Sequence, residues 1–573
     1  MLSRFKQMQG SIKMCKLISF SATMFIVATV AAQTTPIPIP PVLSGSNISL
    51  TLQNGTTSFY NGFNTATNGY NGNYLGPTLV LQSGQSVTID VANMLGDTTT
   101  THWHGLHVAP INDGSPHNLI MDGATWSPSF TVMDKAATYW YHPHLHGKTM
   151  EQVIKGASGF IIVQDNEEAA LALPRTYGVD DFPIAFQFQT FNNVTKQLVM
   201  NDELDNAVLI NGVVSNASIN VPAQIVRLRL LNASSHRFFM FGFNDNRTFH
   251  QITSDAGLLN TGIPLTRLQL ASGERAEILV DFSGQQGSTF FLKQYGTQLP
   301  AGYPGGPPDN MGMMQLGPLD NTNFDLLQFN VISPTTNPIT TLPTTLTTNL
   351  VTSTAGATTK NFLLQGSPMM SMTDFNINGM QYNDNVMNFI TQQDAVMIWN
   401  ITNQSMMPHP WHIHGNHFYI QSINNAAPPL NMRGRKDVVT VPPQGGNVKL
   451  IMKYEDFADS DMPYMYHCHI LSHEDNGMMG QFIVTPNVTA TAPINIERNI
   501  SISPNPLSLG HSLRIAAEDD IREVHVINSV GQVVLSFSAN KKQMDIDLSL
   551  IKGEYYIQVL TQNNILTQKI IIQ

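Results

Sequence analysis

Apolar and polar positions alternate in short runs along the whole chain. Thr-, Val- and Ile-rich segments are broken repeatedly by Asn, Gly and Pro. This is the punctuation of an all-β protein whose strands are joined by turns. Residues 74–90 read as two strands about a Gln82-Ser83-Gly84-Gln85 turn. Val226-Arg227-Leu228-Arg229-Leu230-Leu231-Asn232 alternates apolar and basic residues, as a half-exposed strand does. No stretch sustains the 3.6-residue period of a long helix. Residues 304–318 and 333–359 read as loops, the second Thr-rich and placed to link two domains. Towards the end, residues 521–528, 531–538 and 553–559 are strand-like again.

One apolar run has a different meaning. Residues 17–30 follow Arg4, Lys6, Lys13 and Lys16 and end in Val30-Ala31-Ala32 before Gln33. This predicts a secretory signal over residues 1–32, with Met14 as an alternative start. A single membrane anchor is the other reading, although the run is short for a span.

Composition narrows the class. A chain of 573 residues predicts several domains. Hydrophobic content is 42% and charged content 12%, enough for β cores. The formal charge of −11, more negative once the leader is removed, argues against nucleic acid as a partner. Of two cysteines, Cys15 lies in the leader, so the mature chain has Cys468 alone and no internal disulfide.

The candidate chemistry centres on Cys468, in Tyr466-His467-Cys468-His469-Ile470-Leu471-Ser472-His473-Glu474-Asp475-Asn476-Gly477-Met478-Met479. A thiolate, an imidazole five residues on and a thioether five beyond that are ligand types of a blue-copper site. On an extended strand Cys468 faces one way while His467 and His469 face the other. A metal on the sulfur is then joined through a few covalent bonds to metals held by its neighbours. Ten of the 18 histidines fall in four segments: His102 and His104; His142 and His144; His409, His412 and His414; His467, His469 and His473. Four His-x-His pairs offer eight imidazoles, the number needed by three coppers of coordination two, three and three. His409, Cys468, His473 and Met478 remain for a separate site. A single His-x-His pair is equally a surface pair or a zinc half-site, but zinc has no redox chemistry to employ the cysteine bridge. By alternation, Trp103, Trp140 and Trp411 are expected to face away from these histidines into cores. His107, His117, His146 and His417 lie near the motifs and are expected in supporting or surface positions.

The segments His-Trp-His-Gly-Leu-His-Val (102–108), Tyr-His-Pro-His-Leu-His-Gly-Lys-Thr (141–149), Met-Met-Pro-His-Pro-Trp-His-Ile-His-Gly (406–415) and His-Cys-His-Ile-Leu-Ser-His-Glu-Asp-Asn-Gly-Met-Met (467–479) resemble the multicopper oxidases. The branch of bacterial cuprous oxidases, spore-coat laccases and bilirubin oxidases is the most similar. The resemblance spans about residues 45–488. It implies three cupredoxin-like Greek-key sandwiches, at 45–167, 175–320 and 325–488, with the ligand pairs in the first and third. It implies four coppers: type 1 on His409, Cys468, His473 and Met478; type 2 on His102 and His412; and a type 3 pair on His104, His142, His144, His414, His467 and His469. It implies one-electron oxidation of a substrate coupled to four-electron reduction of O2 to water. Asp113 and Glu474 match acids that the family places beside the cluster as proton donors, although either could be a surface turn acid. The expected substrates are phenols and other aromatic donors, with Cu(I) and bilirubin as further candidates. Met407 matches a substrate-copper position, but Ser405 stands where the cuprous oxidase carries a carboxylate. The Met-rich insertion is reduced to Met369, Met370 and Met372, near Asp374. Most of the 28 Met, Met311, Met313 and Met314 included, also read as ordinary core filler. A non-catalytic copper carrier and a copper nitrite reductase are the alternatives.

After a linker at 489–500, the Pro504-Asn505-Pro506 start, the Gly553-Glu554-Tyr555-Tyr556 strand and the terminal Lys569-Ile570-Ile571-Ile572 of residues 501–573 resemble a type IX secretion sorting domain. An ordinary small β-sandwich is the alternative. The resemblance implies export through the periplasm to the cell surface or medium and engagement of the type IX machinery. A monomer is expected.

Overall fold

The computed structural model describes residues 34–200, 204–309, 316–349, 351–366, 375–487, 500–528, 531–548, 550, 552–561 and 565–573. The proposed leader, most of the linker, and Met311, Met313, Met314, Met369, Met370, Met372 and Asp374 lie outside them. Strands dominate. Among the described residues the α-helices are Thr149–Ile154, Asn166–Ala169 and Leu471–Asp475.

The body is three cupredoxin-like β-sandwiches in sequence, each closing two sheets on one apolar core. In the first, Val42–Ser44, Thr78–Gln82, Gly159–Gln164, Ala137–His142 and His102–His104 form a sheet in that order. It faces a sheet built on Thr65–Tyr70, Asn47–Thr57 and Ser86–Met94. Alternating inward positions such as Ile48, Leu50, Leu52, Val87, Ile89 and Val91 are buried between them. The two strands expected within 74–90 exist as Thr78–Gln82 and Ser86–Met94, but they enter opposite sheets and do not pair as a hairpin.

The second sandwich is rich in phenylalanine, with Phe182, Phe186, Phe188, Phe239, Phe241, Phe243 and Phe329 in its core. Here the expectation of a half-exposed 226–232 strand fails. Every residue of Ile225–Asn232 is buried. Arg227 and Arg229 point into the junction with the first sandwich. Arg229 pairs with Asp181 and with Glu277 at 2.7 Å, while Arg227 pairs with Glu277 and with Glu168 at 2.7 Å. Buried guanidinium groups persist only where carboxylates and hydrogen bonds replace water. The polar face of this strand therefore meets another domain rather than solvent. The link after residue 332 is an ordered strap: the Ile225 amide donates to the Ile339 carbonyl and the Leu346 amide to Asn260. Leu346 is buried among Leu173, Ile225 and Leu258.

The third sandwich contains the sheet Phe389–Gln392, Met479–Thr485, Asp459–Cys468, His409–Ile413, Val438–Val441. The tail forms its own sheet from Ile500–Ser503, Ser512–Asn528, Val533–Asp547, Gly553–Thr561 and Ile565–Ile572. Its core holds Leu513, Ile515, Val524, Val526, Ile557, Val559 and Ile570.

Candidate metal centre

Strand register brings the motifs together. In the first sandwich His102 lies opposite His142, and His104 opposite Trp140. In the third, Trp411 lies opposite Cys468 and His412 opposite His467. Alternation then sorts the side chains. Cys468, Trp411 and His409 face the core of the third sandwich, while His412, His414, His467 and His469 face the first. Trp103 and Trp411 are core residues as expected. Trp140 is also buried, in an apolar cluster with Phe160, Ala185, Leu231 and Ala233, but it does not face away from the histidines: two residues from His142 on one strand, it shares that residue's face, and the two rings are 4.2 Å apart.

Between the sandwiches eight imidazoles converge, each fully or almost fully buried. The Nε2 atoms of His144, His414 and His467 form a triangle 3.1 Å on each side. His104, His142 and His469 form a second group with ligand atoms within 4.8 Å of one another. His102 and His412 complete the set, their Nε2 atoms 3.4 Å apart.

The rings are aimed by their other nitrogens. His102 Nδ1 donates to the Asp113 carbonyl at 2.8 Å, His412 Nδ1 to the Asp437 carbonyl at 2.9 Å, and His142 Nδ1 to Pro143 at 2.8 Å. His467 Nδ1 donates to Cys468 O at 3.0 Å and His414 Nδ1 to Asp113 Oδ2 at 2.7 Å. His469 Nδ1 meets Ser272 Oγ at 3.2 Å. A ring that donates from Nδ1 leaves a bare lone pair on Nε2, directed inward. Burial pushes His144 and His469 down to about 3, and holds His104, His142, His412 and His414 well below the ordinary imidazole range. These six rings are therefore neutral at pH 7, as metal ligands must be.

These residues fit metal ions. The Nε2 atoms of His104, His142 and His469 are buried with no hydrogen-bond partner. One such acceptor costs about 1–3 kcal/mol. Three converging on one point are satisfied together by an ion with metal–nitrogen bonds of about 2.0–2.1 Å. All-imidazole groups suit copper among other transition metals.

On the opposite face, Cys468 Sγ lies 3.3 Å from His409 Nδ1 and 3.6 Å from His473 Nδ1. It accepts the Ile470 amide at 3.4 Å. Met478 is buried in the same core, and Phe375 stacks on His473 with ring centroids 3.7 Å apart. Ser405 fixes the His409 tautomer. Its Oγ is 2.6 Å from His409 Nε2, and its own proton has acceptors in Asn403 Oδ1 at 2.7 Å and Met407 O at 2.9 Å. His409 Nε2–H therefore donates, which leaves Nδ1 bare towards the sulfur. Met407 is half-buried against the core.

Two carboxylates expected beside the cluster are both there and fully buried. Asp113 touches His414 as above, and its Oδ1 lies 3.5 Å from His102 Nδ1. Glu474 lies between His467 and His144, at 3.2 and 3.5 Å. Burial alone would raise its carboxyl, but the two imidazoles outweigh that and hold it well below the usual range. Sequence reasoning missed Asp437 and Arg275. Asp437 Oδ1 lies 3.6 Å from His104 Nδ1 and 3.7 Å from His412 Nδ1, and accepts from Arg275 at 2.7 Å. Neither stands in a motif, and 162 residues separate them.

Of the four other histidines near the motifs, His117 bonds Gln481 at 2.7 Å and His146 is exposed near Tyr382. His107 and His417 bridge the first and third sandwiches.

Comparison with known proteins agrees. Residues 51–168 and 347–488 match family models described as multicopper oxidase, and residues 501–573 match one described as a secretion system C-terminal sorting domain. "Multicopper oxidase mco" of Staphylococcus haemolyticus (strain JCSC1435) is 35% identical over 451 residues, 77% of this chain and 88% of the relative. "Cell division protein FtsP" of Escherichia coli (strain K12) is 30% identical over 471 residues, covering 80% and 94%. The structure of a laccase-like multi-copper oxidase CueO from Ochrobactrum sp. superposes with TM-score 0.69 at 33% identity, over 78% of this chain and 100% of that one. McoA multicopper oxidase from Aquifex aeolicus gives TM-score 0.70 at 29% identity, over 79% and 100%. On its histidine-lined centre, its sandwiches and these relatives, the chain belongs to the multicopper oxidase family.

Proposed function

We propose that this protein is a laccase-like oxidase that takes electrons one at a time from phenolic or other aromatic donors and passes them to O2. His409, Cys468, His473 and Met478 would hold a type 1 copper. His102 and His412 would hold a type 2 copper. His104, His142 and His469, with His144, His414 and His467, would hold a type 3 pair. Copper bound at these sites supplies the one-electron exchange at the surface side and the four-electron reduction of O2 to water at the cluster.

The chain's residues do the rest. Cys468 is bonded through its backbone to His467 and His469, so the sulfur on one strand face is covalently continuous with imidazoles on the other. Asp113 and Glu474 sit beside cluster imidazoles without solvent contact, where carboxylates can hold and pass the protons that O2 reduction consumes. The Nδ1 bonds of His102, His142, His412, His414 and His467 hold those five rings in fixed orientations. The leader and tail support export by type IX secretion to the surface or medium.

The observation that carries this reading is the pairing of one thiolate site with a second, eight-imidazole site on the opposite face of one strand. A copper carrier needs only the first, and a nitrite reductase needs fewer histidines. The likeness to a cell-division protein is one of sequence, at 30% identity over 471 residues; the oxidase reading rests on the side chains of this centre. The test is copper per chain together with O2 uptake on an aromatic donor. About four coppers per chain and O2 consumption without peroxide release are expected. One copper and no O2 uptake would leave only a carrier.

A further inference from the structure

Two histidines outside the proposed ligand set extend one motif in both halves of the centre. The first half reads His102-Trp103-His104-Gly105-Leu106-His107 and the second His412-Ile413-His414-Gly415-Asn416-His417. The two pairs interlock across the interface: His102 stacks on His414 and His104 on His412, both with ring centroids 3.8 Å apart. The third histidines repeat this exchange. His107 Nδ1 lies 2.6 Å from the Gly415 carbonyl, and His417 Nε2 lies 2.6 Å from the Gly105 carbonyl. A carbonyl only accepts, so both rings donate. The His417 tautomer is fixed independently. Arg435 reaches its Nδ1 at 3.1 Å, and a guanidinium has no acceptor, so the ring proton sits on Nε2. Each third histidine also has a carboxylate of the opposite sandwich beside it, Asp456 at 3.4 Å from His107 and Asp134 at 3.8 Å from His417.

The two glycines occupy left-handed backbone, Gly105 at φ +90° and Gly415 at φ +64°. A Cβ would fall 2.5 Å from Asp437 Oδ2 at the first and 2.1 Å from the Tyr464 ring at the second. The chain thus turns sharply just after each His-x-His pair. The carbonyl at that turn is the handle by which the opposite domain holds the end of the ligand strand.

We propose that His107 and His417 form a reciprocal clasp between the first and third sandwiches, positioning the two His-x-His pairs so that the histidine cluster retains copper. They are positioning residues and bind no metal themselves. The proposal rests on the copper-cluster reading above. In that reading the clasp fixes the distance across an interface to which neither domain alone commits its ligands.

The test uses the full chain loaded with copper, dialysed against EDTA, with copper per chain followed over time. The blue absorption of the Cys468 site is read beside it, and so is the thermal midpoint of the metal-free protein. His107→Leu and His417→Leu should lose cluster copper with affinity lowered about 10–100-fold, with the blue absorption retained. His107→Asn places an amide nitrogen near Nδ1, and His417→Gln places one near Nε2, so both should retain copper as wild type does. Leu variants that hold cluster copper as firmly as wild type would overturn the clasp. If the Leu variants do not fold, the amide variants decide: folded Asn and Gln proteins that shed cluster copper overturn it, and retention supports it. A wild-type protein holding copper at Cys468 alone would overturn the cluster reading itself, and the clasp with it.

Discussion

Cys468 joins two sites: its thiol, which no other residue type supplies, lies between His409 and His473, and its backbone is bonded directly to two cluster histidines. Cys468→Ser keeps the shape of the site and removes the soft donor. The variant should fold, lose the blue thiolate absorption and lose oxidase activity; a protein that stays blue would move the type 1 site elsewhere. Met407 tests substrate in the same region. Because it packs half-buried two residues before His409, Met407→Ala should lower Cu(I) oxidation and leave dye oxidation nearly intact. Equal loss of both rates in parallel assays would make it packing alone. Asp134 tests pH dependence. Burial pushes its carboxyl up to about 6, against the nearby His107 and Arg435, and its Oδ2 has no partner. A raised carboxylate pKa means that the folded chain binds the proton more tightly than the unfolded one. Stability from this group is therefore present below about pH 4 and lost as pH rises to about 6, by roughly 3 kcal/mol in all. Asp134→Asn keeps the acceptor for the His107 amide, 2.9 Å away. Its thermal midpoint should match wild type near pH 4 and exceed it near pH 7; a constant difference across that range would show that Asp134 does not titrate there.

At the scale of elements, how much could be read from sequence depends on where a residue's partners lie. The ligand strands were legible because both signals are local: histidines two apart on a strand share a face, and Cys468 between two of them must take the other. The same rule, correctly applied, also places Trp140 beside His142 rather than away from it. Arg227 and Arg229 were illegible for the opposite reason. Alternation says that they leave the domain core, and only Asp181, Glu168, Glu277 and Thr138, which bond them from 48 to 91 residues away, say that they do not reach water. Asp437 and Arg275, joined across the second and third sandwiches, were hidden in the same way. Glu277 is the hinge of the arginine pair, bonding Arg229 through Oε1 and Arg227 through Oε2 at 2.8 Å. Glu277→Ala leaves a buried excess of positive charge and should destabilise the metal-free protein by about 3–5 kcal/mol in denaturant titration. Glu277→Gln, which keeps the shape, should cost less. A loss under about 1 kcal/mol for the alanine variant would mean that water or rearranged acids neutralise the arginines.

At the scale of the molecule, the copper machinery and the tail are built as separate units. Every proposed ligand precedes residue 479, and the centre is closed by the first and third sandwiches with support from Ser272 and Arg275 of the second. The tail has its own apolar core, and among the described residues its strands pair only with one another. The sorting-domain match covers the same span, residues 501–573. Structure and address should therefore separate cleanly. Deleting residues 501–573 should leave a protein with wild-type copper content, blue absorption and O2 uptake, because no ligand and no buried partner of a ligand is removed. It should also leave that protein in the periplasm, while the full chain reaches the surface or medium. Fractionation and metal analysis of both forms in a host with type IX secretion decide the matter. Periplasmic retention with full copper supports the division, secretion of the truncated chain removes the tail as the address, and loss of copper on truncation makes the tail part of the oxidase.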